Sequence, residues 1–361
     1  MSNQQKSVNP NMVILGRESR GLSQKQLADQ LSVTQGRISK IEMGLLAVQD
    51  KLLEELSRVL NYPKQFFLQE GSLMGVGIAE IFHRKRQDVP KGVLTKIYAQ
   101  MEIRLRHIAI LLRATEIPDN VHRFDIDEYN GDVAEIARLV RATWEVKRGP
   151  IENLTKIVEN AGVLVISMDF GTSRVDAISR WVPGYPPLLF VNTYSPKDRY
   201  RYSLAHELGH IVMHTIPNPN IEEQANQFAA EFLLPEREIK ASLRNLNIAQ
   251  LAKLKRYWKV SMAAILVRAQ TLDMITANHA RYLWMQMAKA GYKTREPIEL
   301  DIEGEQPSLL EEIIETHRKD LGYSIADLSE SLLLSEDEVW TLYLRGHDQP
   351  SLRIIQNQKP V

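Results

Sequence analysis

The sequence predicts a multidomain protein that is mostly α-helical and has a smaller α+β part at its centre. Apolar residues recur at helical spacing through residues 10–69 and again through residues 236–346. Between them, residues 163–191 contain three short apolar runs separated by Gly, Pro and polar residues, a pattern typical of strands. The chain of 361 residues is also longer than one hydrophobic core usually supports, so we expect several domains.

The composition is that of an ordinary globular protein, with 44% hydrophobic and 25% charged residues. The chain has no cysteine, which excludes disulfides and thiolate ligands, so a bound metal would need histidine and carboxylate ligands. The N-terminus lacks a basic-then-apolar leader, and no apolar run approaches membrane-spanning length. We therefore expect a cytoplasmic protein.

The net charge is zero, but it is unevenly distributed. Residues 1–68 carry 9 Lys/Arg against 6 Asp/Glu, and residues 83–113 carry 8 against 2. Residues 296–340 carry 2 against 14. This asymmetry indicates an N-terminal half that faces nucleic acid and an acidic C-terminal part.

Residues 1–69 are predicted to form a helical bundle with a helix-turn-helix. Ser23 and Thr34 each precede a helical run and are good N-caps, and residues 31–33 form the short turn between the two helices. Gly44 ends the second of these helices. The predicted core residues are Leu27, Ala28, Val33, Ile38 and Ile41.

This whole segment resembles the Xre/Cro repressor family, which implies binding to a double-stranded DNA operator through the second helix. The resemblance places Gln35 and Lys40 where side chains face base edges, with Arg37 and Ser39 nearby. It places Gln24 where a phosphate contact is usual. The alternative is that these five residues are only exposed polar side chains.

Three further features of this segment follow from the same resemblance. Arg17 and Glu42 are expected to form a partly buried ion pair with a structural role. Gly36 stands where the family usually has a longer side chain, which removes one possible base contact. One such domain reads a half-site, so we expect a homodimer.

Residues 70–149 are predicted to be a helical linker region. It begins with a glycine-rich stretch at residues 71–77 and continues as a long helix over residues 92–115. The basic residues of that helix suit a dimer contact or a second phosphate-binding surface, or simply a solvated face. A second helix is predicted over residues 133–144.

Residues 150–245 form the predicted α+β part. Pro150 is expected to open a helix that Gly162 closes. Three strands are predicted to follow, at residues 163–166, 177–182 and 188–191. One of these strands could pair with the backbone of a bound peptide, although ordinary sheet packing explains it equally well.

The sequence His206-Glu207-Leu208-Gly209-His210 is the strongest functional signal. On a helix, His206 and His210 project from one face and can hold one metal ion, and Glu207 can take a proton from a metal-bound water. Gly209 allows a neighbouring element to approach closely. The chain has only 9 histidines, so this pattern is improbable by chance. The apolar positions of the helix are Leu204, Leu208, Ile211 and Val212.

The third ligand is expected from a second helix at residues 221–235. Glu222, Glu223 and Glu231 all compete for this role, and their spacing alone does not choose among them. His214 follows His210 too closely for the third histidine of a metzincin.

Residues 150–240 resemble the ImmA/IrrE-type metallopeptidases, through Ser203 to His210 and through the motif Glu222-x-x-Ala225-Asn226 and the residues that follow it. The resemblance implies a gluzincin-like site in which Glu222 is the third ligand of one zinc ion per chain. Asn226, one turn later, would orient a ligand from the second shell. A small antiparallel sheet before the His-Glu-x-x-His helix fits this family.

Residues 246–361 are predicted to be a helical C-terminal region with helix-turn-helix-like segments near residues 251–265 and 308–346. The acidic charge of the second segment argues against DNA binding there. Partner contact or self-association is more plausible, and a simple scaffold is the default.

Taken together, these patterns predict a DNA-binding transcriptional regulator with zinc metallo-endopeptidase activity. The resemblance implies site-specific cleavage of a repressor-type protein in a stress, phage or mobile-element response. The alternative is a transcription factor whose zinc domain is a non-hydrolytic sensor or structural module. Glu207 favours the enzyme, because a purely structural site has no need of a base.

Overall fold

The computed structural model describes residues 7–71, 89–216, 218–293 and 295–344, apart from the side chain of Asp198. The described residues form seventeen α-helices, three short 3-10 helices and one three-stranded sheet. This agrees with the predicted mostly helical architecture with a central α+β part. Most of the predicted glycine-rich linker at residues 71–77 lies outside the described residues.

Five helices form the N-terminal bundle. They are α1 (Pro10–Ser19), α2 (Gln24–Gln30), α3 (Gln35–Glu42), α4 (Asp50–Leu60) and α5 (Lys64–Phe67). Ser23 makes a capping box with Gln26, and the Thr34 hydroxyl accepts a hydrogen bond from the backbone N–H of Arg37. Gly44 follows α3 with φ of +72°, a conformation that glycine adopts without strain. The helix boundaries predicted here are therefore confirmed.

The long helix α6 (Lys91–Leu111) packs against α1 and is largely interior. Arg104 is only 7% exposed, and Arg106 pairs with the buried Glu102 at 3.0 Å. Glu102 also accepts a hydrogen bond from Arg180 of the sheet at 2.7 Å. The prediction of a solvated or phosphate-binding face is therefore wrong for Arg104 and Arg106, because other parts of the chain cover most of both side chains.

Two helices precede the sheet, α7 (Val133–Thr143) and α8 (Leu154–Asn160). The prediction that Pro150 opens the second helix is wrong. That helix begins after Asn153, whose side chain accepts a hydrogen bond from the backbone N–H of Lys156 at 2.8 Å. Gly162 then ends it with φ of +101°.

The sheet consists of β1 (Leu164–Met168), β2 (Ala177–Arg180) and β3 (Leu188–Asn192) in the order β1-β3-β2. The predicted antiparallel sheet is only half right. Strand β2 pairs antiparallel with β3, but β1 pairs parallel with β3, with Leu164 opposite Leu188. A parallel pair needs a long crossover connection, and residues 169–187, which include β2, supply it.

The two faces of the sheet belong to different hydrophobic cores. Leu164, Ile166 and Phe190 face a core shared with the N-terminal bundle, α6 and the C-terminal helices. Val165 and Leu189 face the core that contains the His-Glu-x-x-His helix. Because successive side chains of a strand point to opposite sides, β3 is buried along its whole length.

The remaining helices surround this sheet. They are α9 (Lys197–Met213), α10 (Ile221–Leu233), α11 (Glu236–Ile239), α12 (Ile248–Trp258), α13 (Met262–Thr271), α14 (Ala277–Lys289), α15 (Leu309–Lys319), α16 (Ile325–Leu332) and α17 (Glu336–Tyr343). Helix α15 contacts β1 and α6, and Glu338 of α17 pairs with Arg20 of the bundle at 2.6 Å. The acidic C-terminal region thus packs onto the N-terminal half. No helix in the described ranges is long and apolar enough to cross a membrane.

The backbone at Gly162 gives a test of this packing. A Cβ atom there would lie 1.9 Å from the backbone carbonyl oxygen of Pro118, and φ is already positive. We expect Gly162→Ala to lower the free energy of unfolding by at least about 2 kcal/mol, measured by chemical denaturation. Gly171→Ala is the control, because Gly171 has φ of +66° and open space around it. Equal losses for the two variants would contradict the predicted contact.

Candidate functional site

Helix α9 carries the three residues of the His-Glu-x-x-His pattern. Leu204 and Leu208 are fully buried and fix the helix against the second core. His206 and His210, one turn apart, then bring their Nε2 atoms within 3.1 Å of each other. Two imidazole nitrogens that face each other at this distance are well placed to share one cation.

Helix α10 brings the carboxylate of Glu222 to this pair of histidines. Helices α9 and α10 approach closely at Gly209, where a Cβ atom would lie 3.2 Å from Phe228 Cβ and 3.3 Å from Ala225 Cα. Glu222 stands in the first turn of α10. Its Oε2 lies 3.7 Å from His206 Nε2, and its Oε1 lies 3.6 Å from His210 Nε2.

These three residues could together hold a metal ion, and their ligand types are ones that zinc accepts. Their ligand atoms lie within 4.8 Å of one another. Ligand atoms at tetrahedral angles around zinc, with bonds of 2.0–2.2 Å, are separated by about 3.4 Å. Two imidazoles and one carboxylate also leave one coordination position open for water, as hydrolytic zinc sites require.

The other two candidate glutamates are placed elsewhere. Glu223 is exposed and accepts a hydrogen bond from Gln227 at 3.3 Å. Glu231 is 1% exposed and is held by Arg268 and Arg138. Within the described residues, the structure thus brings only Glu222 of the three to the histidines.

The outer nitrogens of both histidines have hydrogen-bonding partners that suit one arrangement of tautomers. His206 Nδ1 lies 3.1 Å from Asn226 Oδ1, which can accept a hydrogen bond from a ring N–H at that nitrogen. His210 Nδ1 lies 3.0 Å from His214 Nδ1, and His214 Nε2 lies 3.1 Å from Gln224 Oε1. If each Nδ1–H donates outwards, both Nε2 lone pairs face the common centre.

His214 can accept this hydrogen bond because it stays neutral. Burial, together with the nearby His206, lowers the pKa of His214 to about 4. The sequence pattern excluded His214 as a metzincin-type third ligand, and its contact with His210 was not predicted. The spacing could have indicated this contact, because His214 follows His210 by four residues, the same spacing that places His210 beside His206.

Glu207 is 3% exposed, and its carboxylate is fixed by the edge strand β2. Its Oε2 accepts hydrogen bonds from the backbone N–H of Ser179 at 2.7 Å and from the Ser179 hydroxyl at 2.6 Å. No pattern in the sequence indicates Ser179, since the contact depends on how β2 lies beside α9. Because the backbone N–H of Ser179 donates to Glu207, it is not available to pair with the backbone of a bound peptide in β-augmentation.

The five predicted DNA-contacting residues lie on or beside α3. Gln35 and Lys40 are exposed, and Arg37, Ser39 and Gln24 are partly exposed. Gln35 Nε2 donates to Gln24 Oε1 at 2.8 Å, so these two side chains are oriented together.

This pair of glutamines rests on a buried ion pair. Gln24 Nε2 donates to Glu42 Oε2 at 2.7 Å. Arg17 donates to both oxygens of Glu42, at 2.5 Å from Nε and 3.0 Å from Nη2. The predicted structural ion pair between Arg17 and Glu42 is therefore confirmed, and it also orients Gln24.

Comparison with protein families agrees with the geometry of both parts. Residues 158–270 match the peptidase family described as IrrE N-terminal-like domain. Residues 15–67 match the family described as Helix-turn-helix. No curated protein matches the chain. The chain therefore joins an Xre-like helix-turn-helix domain to an IrrE-like, metallopeptidase-like domain, and the predicted fusion is confirmed.

The metal centre is testable by metal content. We expect His206→Ala, His210→Ala and Glu222→Ala each to remove most of the zinc from the purified chain, because each deletes one of three ligands. Elemental analysis after dialysis gives the zinc content per chain. Glu223→Ala is the matched control, since Glu223 is exposed on the same helical turn. Full zinc in Glu222→Ala with loss in Glu223→Ala would refute the ligand assignment.

Proposed function

We propose that this protein is a DNA-binding transcriptional regulator with zinc metallo-endopeptidase activity. In this proposal it acts in the cytoplasm and cleaves a repressor-type protein at a specific site, in a stress, phage or mobile-element response. One observation carries the enzymatic part. A buried, oriented carboxylate, Glu207, stands next to a three-residue group that can hold a metal ion.

The chemistry assigned to this site is hydrolysis of a peptide bond. A bound zinc ion would supply Lewis acidity, which activates water and polarises the scissile carbonyl. His206, His210 and Glu222 would hold the ion, while Asn226 and His214 would keep the histidine rings in the required tautomers. Glu207 accepts the proton of the attacking water and returns it to the leaving amine.

The regulatory part of the proposal rests on the exposed face of α3. Gln35 and Lys40 are exposed there, and Gln24 is held beside Gln35 by a hydrogen bond. A single helix-turn-helix reads one half-site, so the proposed form on an operator is a homodimer. Direct coupling of DNA binding and proteolysis in one chain supports a regulatory protease with few substrates rather than a digestive enzyme.

A second candidate is a regulator whose metal domain senses or stabilises without turnover. The contact between Ser179 and Glu207 favours it, because this buried carboxylate also ties β2 to α9. If Glu207 is structural, function depends on the shape and hydrogen bonds of its side chain. A catalytic role would be sensitive to its charge and basicity, so the two candidates can be separated.

Glu207→Gln separates them, because the amide oxygen can still accept from Ser179 but the side chain is no longer a base. We expect normal fold, zinc content and DNA binding, with target cleavage slowed about 10²–10⁴-fold. The measurement is gene induction and repressor integrity in cells that carry each form. Glu223→Gln is the control, with the same chemical change on an exposed residue. If Glu207→Gln regulates like the unchanged protein while His206→Ala fails, the site acts without hydrolysis.

Sequence-specific DNA binding is tested on the full chain. We expect Lys40→Ala and Gln35→Ala each to weaken operator binding by about 1–3 kcal/mol and to relax sequence preference, because each removes one base contact. The measurement is the ratio of affinities for operator and scrambled DNA at one salt concentration. Lys64→Ala is the control, since Lys64 is an exposed cation on α5 and lies on neither α2 nor α3. An unchanged ratio in both α3 variants would leave only phosphate attraction.

A further inference from the structure

A cavity of about 720 Å³ lies where four parts of the chain meet. The N-terminal bundle contributes Arg20 and Tyr62, and α6 contributes Arg104. Strand β1 forms one wall, and α17 contributes Glu338 and Tyr343. None of the candidate zinc ligands lines this cavity, so it is separate from the metal centre.

Two charged side chains in the wall have unfilled hydrogen-bonding capacity. Arg104 is 7% exposed and stacks on the ring of Tyr343 at 4.7 Å, yet its Nη1 has no hydrogen-bond partner among the described residues. Glu338 accepts a hydrogen bond from Arg20 through Oε1, and its buried Oε2 likewise has no partner there. Buried charged atoms without partners are costly, so these two atoms are the groups that a ligand in the cavity would complete.

The charges of the wall select the kind of ligand. Arg104 needs an acceptor, and Glu338 needs a donor. The cavity is lined by two cations, Arg20 and Arg104, and by three carboxylates, Asp169, Glu311 and Glu338. A simple anion would meet an excess of negative charge, and a simple cation would leave Arg104 unpaired. A zwitterion satisfies both groups at once.

The rest of the wall sets the size and polarity of the ligand. Apolar residues from α6, β1 and the C-terminal part line it, among them Ile103, Ile166, Leu310 and Leu334. The volume lies within the range of small-molecule pockets and exceeds what an ammonium and a carboxylate alone would fill. The ligand should therefore carry an apolar side chain as well.

We propose that this cavity binds an α-amino acid with an apolar side chain. The carboxylate of the ligand accepts from Arg104 Nη1, and its ammonium donates to Glu338 Oε2. Because the wall combines the DNA-binding bundle with the C-terminal helices, binding stabilises the contact between Arg20 and Glu338. The cavity is thus a sensor site for a small metabolite that is independent of the peptidase chemistry.

The first test measures binding to the full chain by isothermal titration calorimetry. The probes are L-leucine, L-isoleucine, L-methionine and L-phenylalanine, each at up to millimolar concentration. We expect at least one of them to bind. The amide of the amino acid that binds lacks the carboxylate, and the N-acetyl derivative lacks the ammonium. Each of these two derivatives should bind at least tenfold more weakly than the amino acid itself. No binding by any of the four amino acids, or equal binding of the N-acetyl derivative, overturns the proposal.

The second test places the ligand in the cavity. Glu338→Gln and Arg104→Gln should each weaken binding at least tenfold, which corresponds to about 1.4 kcal/mol. Glu336→Gln and Arg113→Gln are the matched controls, because both residues are exposed and neither lines the cavity. They should bind as the unchanged chain does.

A third variant keeps the test decisive if a buried substitution disturbs folding. Thr341 is an exposed residue of the cavity wall, so Thr341→Trp fills the opening without changing a buried charge. We expect it to abolish binding while the melting temperature of the ligand-free chain stays unchanged. Binding that survives all three variants places the ligand elsewhere and shows the proposal to be wrong.

Discussion

The close approach of α9 and α10 at Gly209 is the constraint on which the candidate metal site depends. The two histidines belong to one helix and Glu222 to the other, so the group exists only at this helix separation. A larger residue at position 209 would meet the side chain of Phe228 and the backbone of Ala225. A glycine inside a helix costs about 1 kcal/mol relative to alanine. Here the glycine allows the close helix approach that the site requires.

Features set by local spacing were predictable from the sequence. Ser23 and Thr34 cap their helices because the capping hydroxyl needs only the next turn of the chain. The pairing of His206 with His210 follows from the helical period alone. Spacing could not choose among three glutamates, and resemblance to a family indicated Glu222. The structure adds a physical reason, because Glu231 is held in the interior by Arg268.

Features set by distant parts of the chain were not predictable. The parallel pairing of β1 with β3 depends on where β2 lies, and the periodicity of short strands does not encode strand direction. Ser179 reaches Glu207 across 28 residues, and Arg20 reaches Glu338 across 318. The charge of α6 suggested an outward face, yet Arg104 points into the interior beside Tyr343. Charge patterns predict a helix surface only where no other element covers it.

The sheet belongs to both hydrophobic cores, so the segments that match different families are not independent folding units. The helix-turn-helix and the peptidase-like segment are separate matches along the chain. In the structure, however, β1 and β3 send alternate side chains into the core of each half. If one half opens, it exposes an apolar face of the sheet that the other half still needs. The two segments are therefore thermodynamically coupled, and the helix-turn-helix domain and the peptidase-like domain should melt together as one cooperative body.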